Sequence, residues 1–209
     1  MRNSAIFNLN RNKFFDFFVK NKFVIFTLFS YVLGIVLGVF LLKSSSAVSD
    51  IAAADFSVYV RLRSGGTFLK IFYDAFLSFL PICLIVFLCG TSVVGIILIP
   101  ILVCYCGFDY GIFTGYLYSN YLLQGVAFNS LILIPCTLIS VLGYLLLSRE
   151  SFYFSLQLLR ITMPNAKNLN IYSGFKGYCK KFVVLLLIFV GASLLDAVLT
   201  FSFIKYFNF

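Results

Sequence analysis

The chain has 209 residues, 62% hydrophobic and 11% charged, with a mean hydropathy of +1.04. An ordinary soluble domain carries about 25% charged residues, so this composition excludes a water-soluble globule and points to an integral membrane protein of several spans. The formal charge of +9 arises from 16 Lys+Arg against 7 Asp+Glu, but most cations flank apolar runs, which argues for membrane orientation and against a nucleic-acid partner.

Residues 1–22 form a basic tail with Arg2, Arg11, Lys13, Lys20 and Lys22, interleaved with Phe14, Phe15, Phe17 and Phe18. This pattern predicts a cytoplasmic amphipathic tail resting on anionic lipid. The apolar run that follows begins at Phe23. It is too long for the core of a cleavable signal, and no small-residue cleavage site follows promptly, so it reads as a retained span.

The first span covers 23–42 and ends at Lys43. Gly34 and Gly38 make a GxxxG pair, which allows another helix to approach closely. Residues 43–71 are read as an external loop. Within it "DFSVYVRLRSGG" alternates apolar and polar residues, and the pattern fits a short strand or a surface-lying helix. A second span runs over 72–88 and contains Pro81, a kink position.

Residues 91–119 are harder. As one helix they would extend about 43 Å at about 1.5 Å per residue, against a hydrocarbon core about 30 Å thick. They are read as one long helix, tilted or broken, with Pro100 and Gly107 as places to bend. A fourth span covers 122–147 around Pro135. Residues 148–181 are basic and polar-flanked, with "ESFYFSLQLLRI" as an interfacial helix, and the last span is 182–203. The fold class is thus all-α, a multi-pass bundle of about five spans. Both basic segments then fall on one side, placing the N-terminus inside and the C-terminus outside.

Gly107, Gly111 and Gly115 recur every fourth residue. They advance about 40° per step, so they form one slowly turning groove suited to helix packing. Asp109 projects roughly 160–200° from that row. It either reaches another helix, the chain unwinds near Gly107, or this turn meets water at the outer interface. Asp196 is the second acid singled out deep within an apolar run. Two such carboxylates suit a proton or cation path, or hydrogen bonds between helices. The six cysteines include no CxxC, and there is no histidine. No metal, no cofactor and no catalytic constellation is therefore expected.

The order of these features resembles the stage II sporulation protein M family of integral membrane proteins. The motifs are "LCGTSVVG" with Gly90, Ser92 and Gly95, then "CGFDYGIFTGYL", then Gly125 and the segment Leu133-Ile134-Pro135, with Asp196 late in the last helix. Phe128-Asn129-Ser130 departs from the family's proline-led stretch, and Asp109 has no family counterpart. The resemblance implies a non-catalytic scaffold in endospore formation, in the cell membrane and at the septal or engulfing membrane. Its implied partners are membrane lipids and sporulation proteins of the D and P type, which cut peptidoglycan; self-association stays open. The alternative from the residues alone is a transporter or permease component using Asp109 and Asp196.

Overall fold

A backbone placed in hydrocarbon must satisfy its own hydrogen bonds, which drives an apolar chain into helices. The computed structural model describes residues 22–162 and 171–207, and among them no strand occurs. Six helices follow one another: α1 (Lys22–Ser44), α2 (Ser46–Ser64), α3 (Phe68–Gly90), α4 (Gly95–Phe128), α5 (Ile134–Thr162) and α6 (Ile171–Phe203). A π-helical turn, Asn129–Leu133, joins α4 to α5, and a 3₁₀ turn, Ile204–Tyr206, follows α6. The basic tail 1–21 and residues 163–170 of the basic segment lie outside the described residues.

Four helical stretches are long and apolar enough to cross a bilayer: Lys22–Ser44, Phe68–Gly90, Gly95–Ile161 and Tyr172–Tyr206. The third has 67 residues, about 100 Å if straight. It is not straight. Leu122 has φ 45° and ψ −119°, and the chain reverses there. Beyond it, Tyr110 donates to Asn129 Oδ1 at 3.1 Å, Val103 and Cys106 share a core with Tyr144 and Leu147, and Ser155 reaches Ser92. The arms 95–121 and 123–162 therefore run antiparallel.

The break is not at Pro100 or Gly107, through which α4 runs without non-helical backbone. Gly125 makes the reversal possible: a Cβ there would stand 2.8 Å from the Leu117 carbonyl carbon. The strained residue is a leucine, and its neighbours supply the close approach. Pro135 follows the π-helical turn. Its missing N–H would leave the Leu131 carbonyl unpaired in a regular helix, and the widened turn falls over that position.

The segment 43–71 contains a helix rather than a strand. Ala52 and Phe56 are buried, and Tyr59 and Arg63 follow on the same stripe at spacings of four, three and four. Phe56 is 3% exposed, edge-on to Phe113 at 5.8 Å and Phe128 at 6.5 Å. This aromatic cluster fastens α2 to the hairpin end, with Leu117, Ile132 and Leu133.

Residues 148–162 form no separate interfacial helix; α5 continues through them to Thr162. The reason is packing, since Ser148, Ser151, Phe154 and Ser155 are all buried. Tyr178 of α6 stacks on Phe154 at 4.7 Å and on Phe87 at 4.9 Å. Its hydroxyl lies 2.8 Å from Ser151 Oγ and donates to the Phe87 carbonyl at 3.0 Å.

Contacts fix the helix directions. Tyr31, Ile35 and Leu42 of α1 meet Gly107, Gly111 and Gly115 in turn, so α1 and α4 are parallel. Phe68, Phe79 and Phe87 of α3 meet Phe201, Phe189 and Phe182 of α6, so that pair is antiparallel. Phe79 meets Tyr144 and Gly90 meets Ser151, so α3 runs with α5. The central core, with Cys83, Val86, Val103, Leu147 and Phe189, forms where α3, α4, α5 and α6 converge.

Candidate functional site

A cavity of about 250 Å³ opens at the centre of the bundle, and all six helices line it. Each contributes a polar group: Tyr31 from α1, Arg63 from α2, Ser78 from α3, Asp109 from α4, Thr137 from α5 and Asp196 from α6. The two acids singled out in the sequence thus face one space, although they lie on helices far apart in the chain.

Asp196 is 4% exposed and is not isolated. Arg63 Nη2 donates to its Oδ2 at 2.7 Å, and Thr200 donates to Oδ1 at 3.4 Å. The guanidinium lies over the Tyr59 ring, 3.7 Å from its centre. Burial pushes the Tyr59 phenol above its ordinary range, with Arg63 acting in the opposite sense. Tyr59 therefore enters the site neutral. Arg63 Nε is buried with no hydrogen-bond partner among the described residues.

Asp109 differs. Its helix stays regular at Gly107, so the carboxylate projects away from the buried glycine row and reaches the cavity. The residue as a whole is exposed. No ion pair or hydrogen bond to its carboxylate occurs among the described residues.

At the hairpin end, the buried Asn129 carries two tyrosines: its carbonyl accepts from Tyr110 at 3.1 Å, and its amide donates to the Tyr118 hydroxyl. This fixes Tyr110, itself a cavity wall. A π-helical turn beside a cavity, with Asn129, Ile132 and Leu133 buried, fits the frequent placement of such turns at functional sites.

The glycines of the two sequence motifs face each other. A Cβ on Gly34 would stand 2.8 Å from Phe108 N, and on Gly38 3.0 Å from Ile112 N. On Gly107 it would stand 2.9 Å from the Tyr31 carbonyl carbon, and on Gly111 2.9 Å from Ile35 Cα. Partner carbonyls project into each gap, the arrangement of Cα–H···O contacts between close helices. Gly115 is looser, with the Leu42 side chain nearest, at 3.0 Å.

Gly90, Ser92 and Gly95 build the α3–α4 turn, remote from the cavity lining. Ser155 donates to the Ser92 carbonyl at 2.6 Å, Ser92 Oγ accepts from Val94 N–H at 3.3 Å, and a Cβ on Gly90 would stand 3.0 Å from Ser151 Cα. All six cysteines are free, and no group of three or more His, Cys, Asp or Glu gathers among the described residues.

Sequence reasoning passed over Arg63, Tyr59 and Asn129. The 52, 56, 59, 63 stripe was the available signal for the first two. Asn129 carried none beyond being a polar residue in an apolar run. Comparison of the chain with family models, with curated proteins and with solved structures finds no match.

Proposed function

We propose that this chain is a membrane protein that crosses the bilayer five times and holds a small polar solute in its central cavity, as a transporter or permease component. The crossings are α1, α3, the two arms around Leu122, and α6. The parallel pairing of α1 with α4, and the opposite course of α3 and α5, fit that plan. The basic segments 1–22 and 148–181 then lie on the cytoplasmic side, with α2 and the C-terminus outside. The observation that carries the reading is the cavity itself, which joins Asp109, Asp196 and Arg63 at one place. Ionisable groups facing a space inside a bundle mark solute or ion paths more often than lipid-facing structure.

Thiol accessibility tests the reading. On a cysteine-free background, Ser78→Cys and Thr137→Cys should react with a charged, membrane-impermeant methanethiosulfonate. Leu142→Cys, outside the cavity lining and 59% exposed, should not. Failure of both cavity positions to react means a dry cavity and ends the solute reading.

A second reading, the sporulation scaffold with D- and P-type hydrolase partners, is favoured by the compact turn formed by Gly90, Ser92 and Gly95, the motif with the clearest resemblance. Deletion followed by imaging of engulfment tests it: normal engulfment removes this reading.

A further inference from the structure

We infer that the cavity takes a small organic cation that also carries an oxygen acceptor, with Asp109 as its counter-charge; this rests on the solute-site reading above. Three charged side chains line the space: Arg63, Asp109 and Asp196. The first and third neutralise each other at 2.7 Å. The charge left over is a single carboxylate, Asp109 of α4. The site is therefore formally monoanionic and attracts one positive charge.

Size and lining select among cations. About 250 Å³ corresponds to roughly eight water volumes at about 30 Å³ each, far more than a bare alkali ion fills. A divalent metal would want several anionic or imidazole ligands, and the described residues gather no such group. The rings of Tyr31, Phe79, Phe113 and Tyr144 line the same cavity as this carboxylate. Aromatic faces attract alkylated ammonium groups, and more strongly where water is excluded. Of the two other rings in the lining, Tyr59 is already occupied by Arg63 and Tyr110 is tied to Asn129.

Two buried donors of the lining residues lack a partner among the described residues, Arg63 Nε and the Tyr59 hydroxyl. Arg63 Nε is buried, unpartnered and on a side chain 10% exposed. A buried N–H left unpaired is costly, so a ligand oxygen that accepts from it is favoured. A carboxylate in a cavity with aromatic walls, and buried donors without a partner, describe a ligand with an ammonium end and a hydroxyl or ether end.

Choline is the probe, with two controls. Its uncharged carbon isostere, 3,3-dimethylbutan-1-ol, removes the charge, and tetramethylammonium removes the oxygen. With the full chain in lipid nanodiscs, calorimetry should show saturable choline binding, at least tenfold weaker binding of the isostere, and intermediate binding of tetramethylammonium. Asp109→Asn should weaken choline at least tenfold while the melting temperature stays within a few degrees of the parent. Glu150→Gln, whose carboxylate pairs with Lys181 away from the cavity lining, should bind as the parent does. Choline should also slow modification of Ser78→Cys, and the isostere should not. Equal binding of choline and its isostere, or full choline binding by folded Asp109→Asn, overturns the inference. Water-accessible cavity thiols with no choline binding overturn the cation assignment and leave the solute site standing, whereas unreactive cavity thiols remove both.

Discussion

Replacing Asp196 with leucine leaves the Arg63 guanidinium without its counter-charge in a site where the two side chains are 10% and 5% exposed. Removing one partner of a buried ion pair costs about 3–5 kcal/mol, because the remaining charge stays desolvated. Arg63→Met should cost a similar amount by stranding Asp196, whose other side-chain partner is Thr200 at 3.4 Å. It also forfeits the stacking on Tyr59. The double variant has no stranded charge. Buried pairs replaced by apolar residues of similar volume are often neutral or more stable, so it should lie within about 1 kcal/mol of the parent. At about 2–4 °C per kcal/mol for a chain of this size, each single change should lower the melting temperature by roughly 6–20 °C. Thermal unfolding in nanodiscs, followed by intrinsic tyrosine fluorescence, measures the full cycle. Single variants that melt within about 2 °C of the parent, or a double variant no better than the worse single, would falsify the reasoning that this pair holds α2 to α6.

Gly111→Ala should destabilise by about 1–3 kcal/mol, since the new carbon meets Ile35 backbone at 2.9 Å, and Gly111→Leu should abolish accumulation in the membrane. Gly115→Ala should cost under about 1 kcal/mol because only the Leu42 side chain must yield, and Gly191→Ala, with nothing within 4 Å, should gain up to about 1 kcal/mol from helix propensity; chemical denaturation of the set orders them. Leu122→Gly should stabilise by about 1–3 kcal/mol through relief of a positive φ; a lower melting temperature would show that the leucine side chain matters more than its backbone. An impermeant maleimide added to intact cells should label Arg61→Cys on α2, and should label Lys180→Cys only after permeabilisation; labelling of both from outside ends the five-crossing plan.

The long helices were legible because apolarity over about twenty residues is a strong and local signal. The places where the chain turns were less so. Pro100 and Gly107 carry the usual marks of a break, yet the helix passes through them, and the reversal falls on Leu122. That choice is made by tertiary fit, with Gly125 admitting the Leu117 carbonyl and Asn129 tying Tyr110 to Tyr118. Residues 56–63 alternate as a strand would, and their helical stripe shows only when Ala52 is counted with them. Asp109 and Asp196 stood out as acids in apolar runs. That they share one cavity, and that Arg63 of α2 reaches the second, depends on how helices remote in sequence pack, which no local pattern records.

The parallel pairing of α1 with α4 also bears on how the chain is made. Ile35 packs on Gly111, yet about 76 residues separate their emergence from the ribosome, or about 4–15 s at 5–20 residues per second. The intervening α3 makes little contact with α1. During that interval the row of Gly34 and Gly38 stands open in the bilayer, a surface shaped for close helix approach with its own partner not yet synthesised. Neighbouring nascent copies present the same row at the same moment, so synthesis on crowded polysomes sets pairing between chains against pairing within one, and a chaperone or translocon surface that shields α1 until Gly111 arrives would decide the yield.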